Sequence, residues 1–306
     1  MKKGLKYGIE FLAVTGVFFI LISLSTVYLR GLKLDKLLIG NQPTVWGSNM
    51  QRVSDMEEWA QTNNSKPKLL ILGSSTAYRG INPAVLNEKL GVNSFNGASS
   101  SQRIKLSIYL LKRLVKQTKI DYVLLDIYPH FWGNYSNEPA LDWIINNPDL
   151  YRYSDILGEY PARKVIVNYA YYGVKRGVLP LFGLTEKISG NEAHNGTYTG
   201  NGFVCSPDDK PQYIDKSPKK FNNEEKFKND LAELKQLCTQ HQIKLILLIP
   251  PIIGYADNPQ FDLPLINANQ LGLDTAYFYD DHHLYCKGTT PYTELVAAKL
   301  EVLIKQ

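Results

Sequence analysis

The stretch KLLILGSST, residues 68–76, decides the fold of this chain. Residues 68–72 form a short run that is apolar after its first lysine, and Gly73 ends it, which is typical of a buried strand. Similar runs occur further along the chain. They predict four more strands, at residues 92–95, 122–127, 244–249 and 276–279.

Helical patterns separate these strands. Apolar residues spaced 4, 3 and 4 positions apart predict one helix over residues 102–118 and another over residues 227–238. A short helix is predicted over residues 82–90, and the last helix is predicted with Thr290 as its N-cap and Pro291 at its first position. Short apolar strands that alternate with amphipathic helices predict an α/β fold whose parallel sheet is covered on both faces.

The net charge of +5 is concentrated at the amino end of the chain. Residues 1–36 carry six basic and two acidic residues, a net +4, which leaves +1 for residues 37–306. A broad basic face is the electrostatic footprint of a nucleic-acid-binding protein. Because the main body has no such excess, we expect no nucleic-acid partner.

An uncharged run of 19 residues, 11–29, lies between two groups of three basic residues. As a helix it is about 30 Å long, enough to cross the hydrocarbon core of a bilayer. We therefore expect residues 1–36 to be an uncleaved, single-pass anchor in the cell membrane with its flanks; a cleaved signal peptide and a buried helix are the alternatives. The basic flanks are balanced, so the short leading tail and the large following domain decide the expected orientation, with the domain on the extracytoplasmic side.

The rest of the chain divides into a polar stalk or linker at residues 37–66 and one domain at residues 67–306. Residues of about 130–222 interrupt the alternation of strands and helices and form a predicted insertion. Residues 128–172 hold 11 of the 35 aromatic residues, about twice their share by length. Loops at the carboxyl ends of parallel strands normally build the binding site, so these rings either stack on the sugar rings of a substrate or form the insertion's own small core.

Two short segments carry the residue types of nucleophilic catalysis. After the first strand, Gly73 allows a sharp turn that exposes a serine hydroxyl at the carboxyl edge of the sheet. In DDHHL, residues 280–284, an aspartate three residues before a histidine can accept its Nδ1–H and leave Nε2 free to take a proton from serine. The first segment is also typical of a helix cap or a phosphate-binding turn, and the second of a polar turn or a zinc site. The other histidines are scattered, so we expect no metal; they are His130, His194 and His241.

Together these segments resemble the SGNH/GDSL hydrolase family, over residues 67–128 and 242–304. The family's sequence blocks match GSS at residues 73–75, FNGAS at 95–99 and the Asp-x-x-His at 280–283. The resemblance implies a three-layer α/β/α, flavodoxin-like fold with a five-stranded parallel sheet. It also implies a nucleophile, Ser75; a base, His283; its acidic partner, Asp280; and oxyanion-hole donors in the amides of Ser75 and Gly97.

Two departures from the family pattern concern the chemistry. Ser74 stands where many relatives have an aspartate, and no Gly-x-Asn block follows the third strand. That block usually supplies an asparagine donor to the oxyanion hole, and Asn134 is the nearest substitute. The loss of one such donor typically costs about 100–1,000-fold in rate.

A Gly-Ser-Ser block behind an N-terminal anchor is similar to the envelope-modifying branch of the family, which includes proteins of teichoic-acid D-alanylation and of exopolysaccharide O-acetylation. The resemblance therefore implies a membrane-anchored serine esterase or O-acyltransferase that acts on an ester of a cell-envelope glycan or lipid-linked glycan and uses no cofactor. The implied partners are the membrane, through residues 11–29, and a membrane-bound acyl-donor protein. The alternatives are a catalytically degraded module for glycan binding or assembly and a phospholipid-cleaving lipase.

The three cysteines are too few for a disulfide scaffold. Cys238 falls on the apolar face of a predicted helix and is expected to be buried. If the domain lies outside the cell membrane, a disulfide between Cys205 and Cys286 would tie the insertion to the turn that carries His283. A Cα separation beyond about 7 Å would exclude this hypothesis.

Overall fold

The computed structural model describes residues 7–18, 20–21, 47–63, 65–99, 102–128, 196–220 and 225–305. The chain divides into two compact units. One comprises residues 1–49 and 141–190, and the other comprises residues 50–140 and 191–306. Apart from the first residues of its first helix, every labelled element below belongs to the second unit.

A parallel sheet of five strands forms the centre of this unit, in the order β2-β1-β3-β6-β7. Its members are β1 (Lys68–Leu72), β2 (Asn93–Asn96), β3 (Tyr122–Asp126), β6 (Lys244–Ile249) and β7 (Leu265–Asn267). Two further strands, β4 (Thr197–Gly200) and β5 (Phe203–Cys205), form an antiparallel hairpin. The prediction of an α/β fold with a five-stranded parallel sheet is confirmed. The strand order reverses between β1 and β3, and sheets of this kind bind ligands at such a topological switch point.

Six α-helices accompany the strands among the described residues from 47 onward. They are α1 (Gly47–Gln61), α2 (Ser75–Gly80), α3 (Pro83–Leu90), α4 (Ile104–Leu114), α5 (Glu225–Gln240) and α6 (Cys286–Lys305). Helix α3 packs against α6, and α4 packs against α5. Leu69 and Ile71 of β1 share one hydrophobic cluster with residues of α3 and α6. Their neighbours Leu70 and Leu72 face the opposite side of the sheet and are also fully buried, so both faces are covered.

The fifth strand of the sheet is not where the sequence predicted it. Residues Thr275–Tyr277 form a 3₁₀ turn because the Asp274 side chain accepts a hydrogen bond from the Ala276 N–H. The edge position is taken instead by β7, which pairs with β6. With only three residues, β7 is too short to produce a clear apolar run.

The last helix begins earlier than predicted, at Cys286, and Pro291 lies inside it rather than at its first position. The Cys286 N–H, one of the donors that a helix leaves without an internal partner, donates to the Ser206 carbonyl at 2.8 Å. This contact, between residues far apart in the sequence, lets the helix start before its proline.

Part of the predicted stalk belongs to the domain. Residues 47–61 form α1, in which Met56, Trp59 and Ala60 are buried. The Arg52 side chain on the same helix is buried as well and donates hydrogen bonds to the carbonyls of Gly202 and Ala98. Residues 37–46 and residue 64 of the predicted stalk lie outside the described residues.

The predicted membrane anchor is described only in part. Residues 7–18 and 20–21 are helical, and most of their large apolar side chains are more than half exposed, such as Phe11 at 71%. Within the described ranges, no helix is both long and apolar enough to cross a membrane. Residues 19 and 22–29 of the predicted span lie outside those ranges.

Candidate active site

The nucleophile turn, residues 73–76, leaves the carboxyl end of β1, an inner strand that lies between β2 and β3. Gly73 adopts a φ of +137°, and a Cβ atom there would lie 2.6 Å from the Cβ of Asp126. Only glycine fits, because a side chain would meet both backbone strain and the neighbouring strand. Ser75 follows as the first residue of α2, so its hydroxyl stands at the carboxyl edge of the sheet, as predicted.

A buried carboxyl group fixes the residues on either side of Ser75. The Thr76 hydroxyl donates to Asp126 Oδ2 at 2.7 Å, and the Ser74 and Thr76 hydroxyls lie 3.0 Å apart. Asp126 Oδ1 accepts from the Tyr128 N–H at 2.8 Å. Complete burial raises the pKa of Asp126 to about 7 despite these hydrogen bonds. Sequence reasoning missed Asp126, although an aspartate that ends a strand at this edge of the sheet was the available signal.

The acid–base turn, residues 280–283, lies shortly before α6. Asp280 Oδ1 accepts from the backbone N–H groups of His282 at 2.9 Å and His283 at 2.7 Å. Asp280 Oδ2 lies 2.7 Å from His283 Nδ1. The carboxylate therefore folds back on the turn and orients the imidazole ring of His283.

The two turns meet in one direct contact. His283 Nε2 lies 2.7 Å from Ser75 Oγ, although 208 positions separate the two residues in the sequence. A carboxylate only accepts, so His283 Nδ1 donates to Asp280, which leaves Nε2 to accept from the serine hydroxyl. The structure thus brings Ser75, His283 and Asp280 together in the order that proton removal from the serine requires.

The electrostatics of the turn favour this arrangement. Burial lowers the pKa of His283, and the hydrogen bond to Asp280 opposes that shift only in part. Burial alone would raise the pKa of Asp280, but the hydrogen bond and charge of His283 outweigh it and hold the pKa at about 2. At neutral pH His283 is therefore a neutral base and Asp280 is ionised.

A second acid–histidine pair lies beside the first. His282 Nδ1 lies 3.1 Å from Asp281 Oδ1, and the His282 ring stacks on Tyr128 with the ring centroids 4.5 Å apart. Asp281 also lies 3.6 Å from Lys219 Nζ. Of the two histidines, His283 makes the contact to Ser75, in agreement with the spacing argument that favoured Asp280 and His283.

Among the described residues, Asp280, His282 and His283 are the group with the spacing of metal ligands, with one donor atom of each within 4.8 Å of the others. Asp280 already accepts hydrogen bonds on both oxygens, from His283 Nδ1 and from two backbone N–H groups. The ligand atoms of Asp280 are therefore already engaged in hydrogen bonds. The expectation of a site without metal stays a prediction.

The two backbone amides predicted for the oxyanion hole differ in what they contact. Ser75 begins α2, so its N–H has no acceptor within the helix. The Gly97 N–H instead donates to the Ile71 carbonyl at 2.8 Å, because the pairing of β2 with β1 continues past the end of β2. That donor points into the sheet, and the predicted role of Gly97 is not found. Asn134, the predicted substitute donor, lies outside the described residues.

The disulfide hypothesis agrees with the structure. Cys205 and Cys286 are bonded with their Cα atoms 5.0 Å apart, across 81 residues of sequence. Cys286 is the first residue of α6 and Cys205 the last of β5. Cys238 is free and buried, as expected.

No protein-family model matches the sequence, and no curated protein matches it. Among solved structures, the chain is similar to a protein from Streptococcus pneumonia that is provisionally described as a platelet activating factor. That similarity has 15% sequence identity and a TM-score of 0.30, and it covers 89% of this chain and 96% of the other. A likeness this weak says nothing about activity, so the functional conclusion depends on the geometry of the site.

Proposed function

We propose that this chain is a serine esterase or O-acyltransferase of the SGNH type. The observation that carries the proposal is the continuous contact from Ser75 Oγ to His283 Nε2 and from His283 Nδ1 to Asp280, both at 2.7 Å. A nucleophile within reach of a base, and a base oriented by a third group, are the signature of nucleophilic catalysis.

The proposed reaction has two half-steps. His283 Nε2 takes the proton of Ser75 while the serine oxygen attacks the ester carbonyl, and the Ser75 N–H donates to the developing oxyanion. The alcohol leaves with the proton from His283, and the acyl group remains on Ser75. Water or a sugar hydroxyl then gives its proton to His283 and attacks the acyl carbon. The bond to Ser75 breaks, the serine oxygen takes the proton back from His283, and an acid or a new ester is released. Ionised Asp280 stabilises the imidazolium in both half-steps.

The proposed substrate is an ester of a cell-envelope glycan or lipid-linked glycan. We infer a single-pass anchor at residues 11–29, a domain on the extracytoplasmic side, and a membrane-bound acyl-donor protein as partner. The uncharged run in the sequence and the exposed apolar side chains along its described helical part support the anchor. The Cys205–Cys286 disulfide supports an oxidising compartment.

The test compares Ser75→Ala with Ser94→Ala on a small activated ester, 4-nitrophenyl acetate. Ser94 serves as the control because its hydroxyl is buried and engaged elsewhere, with Asn87 Oδ1 at 2.6 Å and the Pro83 carbonyl at 3.1 Å. We expect Ser75→Ala to lose at least about 1,000-fold in kcat/KM and Ser94→Ala to keep most of it. Full turnover by a folded Ser75→Ala protein would contradict the proposal. Adding a sugar alcohol as acceptor then separates transfer from hydrolysis.

One observation favours a second candidate, a glycan-binding or assembly module with the same fold. The Gly97 N–H is used inside the sheet, which weakens the oxyanion hole that catalysis needs. A module of this kind binds envelope glycan equally well before and after Ser75→Ala and has no ester turnover in either form.

A further inference from the structure

The segment of residues 205–213, which we call the strap, leaves β5 and runs along the acid–base turn. Its contacts reach both the residues before the turn and those after it. The partners are Cys205 with Cys286, the Ser206 carbonyl with the Cys286 N–H, Asp208 with the Lys287 N–H, the Lys210 carbonyl with the Tyr285 hydroxyl, Gln212 with the Phe278 carbonyl, and the Tyr213 N–H with the Tyr279 carbonyl. The turn is therefore held from outside, by a segment far from it in the sequence.

Ser206 connects the strap to both halves of the site. Its side chain is fully buried, and its hydroxyl accepts from Arg79 Nη1 at 2.8 Å. Arg79 lies on α2, one helical turn after Ser75. Burial raises the pKa of Tyr279, and the nearby Ser206 hydroxyl acts in the opposite direction. One hydroxyl group thus links the helix of the nucleophile to a tyrosine next to the acid–base turn.

Tyr279 extends this link to the base. Its ring is nearly parallel to that of His283, with an interplanar angle of 6° and ring centroids 5.5 Å apart. The Tyr279 N–H donates to the His283 carbonyl at 3.1 Å, and the Tyr279 carbonyl accepts from the Tyr213 N–H of the strap at 2.7 Å. A tyrosine held in this way limits how far the stacked imidazole can rotate or shift. Displacing Ser206 would therefore loosen His283 without touching the reacting atoms.

Placement matters here because the two reacting groups sit on different elements. Ser75 is fixed by β1 and α2, whereas His283 lies on a turn outside the regular elements. A misplacement of about 1 Å in such a pair can cost about 100-fold in rate. The Ser75–His283 contact therefore needs a residue that fixes the position of the acid–base turn relative to α2.

We propose that Ser206 is a positioning residue for the Ser75–His283 pair, and that the Cys205–Cys286 disulfide holds it in place, so that catalysis depends on the oxidised disulfide. This inference rests on the proposed function. Its redox part needs an external dithiol. The dithiol gives two electrons and two protons to the disulfide, the sulfur–sulfur bond breaks into two thiols, and the dithiol becomes a cyclic disulfide.

The first experiment measures kcat and KM of Ser206→Ala beside the Ser94→Ala control. We expect Ser206→Ala to lower kcat by about 10- to 100-fold at a temperature where it is fully folded, with KM changed by less than about 3-fold. If Ser206 had a purely structural role, Ser206→Ala would have a lower melting temperature but a kcat near that of the wild type, as expected for Ser94→Ala. That result would overturn the proposal.

The second experiment removes the disulfide. Cys205→Ala/Cys286→Ala is expected to lose kcat to the same extent as Ser206→Ala and to be insensitive to dithiothreitol. The wild type should lose activity with dithiothreitol and regain it on reoxidation, and Cys238→Ala, which alters a free cysteine, should behave like the wild type. Unchanged kcat in the fully reduced, folded wild type would contradict the proposal.

A third measurement needs no turnover and so separates this inference from the proposed function. The ¹⁵N chemical shifts of the His283 ring report its tautomer and its hydrogen bonds. We expect them to change in Ser206→Ala and in the reduced protein, and to stay the same in Ser94→Ala. If the wild type hydrolyses no ester but these shifts behave as expected, the proposed function fails and the positioning role stands; unchanged shifts in Ser206→Ala contradict the positioning role in either case.

Discussion

The nucleophile turn and the acid–base turn are built in different ways. The first is a direct continuation of a buried inner strand into a helix, with Gly73 pressed against Asp126. The second lies outside the sheet and is held by the Asp280 carboxylate, by the strap and by one disulfide. The serine is therefore placed by the core of the fold, whereas the base depends on bonds that pH, reduction or a single substitution can break.

The largest effect should come from the base itself. His283→Ala is expected to lose on the order of 10⁵-fold in kcat/KM, because it removes the imidazole that contacts Ser75 Oγ and takes its proton. His282→Ala is the matched control on the same turn, and its loss should stay below about 10-fold. Steady-state kinetics on both folded variants decide the point. Equal losses would show that the two Asp–His pairs are not distinct in function.

The acidic partner should have the next largest effect. Asp280→Asn keeps the size of the side chain but replaces the acceptor that holds His283 Nδ1, and we expect a loss on the order of 10⁴-fold in kcat. Asp281→Asn is the matched control, because it removes a neighbouring negative charge but leaves the acceptor of His283 Nδ1 in place. If Asp281→Asn were the more damaging change, the assignment of Asp280 would be wrong.

The buried Asp126, which contacts the nucleophile turn, should make the free energy of unfolding fall as the pH rises. The pKa of Asp126 is raised from 3.8 to about 7 by burial, so the folded state holds its proton where the unfolded chain has released it. Its contribution to stability is therefore present below pH 4 and is lost as the pH rises to 7, on the order of 4 kcal/mol.

Urea unfolding of the wild type and of Asp126→Asn between pH 4 and pH 8 measures this effect. The free energy of unfolding of the wild type should fall relative to that of Asp126→Asn as the pH rises, because asparagine does not titrate. A constant difference between the two proteins across this range would contradict the account of Asp126.

The smallest of these effects is the change of activity with pH that follows from the protonation of His283. His283 must be neutral to act, and burial lowers its pKa below 6.5. Activity should therefore be flat at neutral pH and fall about tenfold per pH unit only below that pKa. The pH profile of kcat/KM, taken where circular dichroism shows a folded protein, gives the midpoint. A midpoint at pH 7 or above would contradict the desolvated environment of His283.

The sequence predicts each of the two turns separately, but not the contact between them. The run at residues 68–72 and the glycine after it predict the nucleophile turn because strand, turn and helix are local patterns. The Asp-x-x-His spacing predicts the pair at residues 280–283 for the same reason. Its contact with Ser75 was expected only through the resemblance to a family.

What the sequence does not predict depends on long-range contacts. The polar segment that contains Arg52 packs onto the domain as a helix because the Arg52 guanidinium donates to backbone carbonyls that are distant in the sequence. The use of the Gly97 N–H inside the sheet follows from strand register, which residue spacing does not reveal. The link through Ser206 joins residues 127 positions apart.

The central claim is that Ser75 is an activated nucleophile, and its reaction with a fluorophosphonate measures this most directly. In that reaction the serine oxygen bonds to phosphorus, fluoride leaves, and His283 takes the proton. We predict one adduct per folded chain, located at Ser75 by peptide mass spectrometry, absent in Ser75→Ala and much slower in His283→Ala. A folded wild-type protein that remains unlabelled, or that is labelled equally well in Ser75→Ala, would contradict the account.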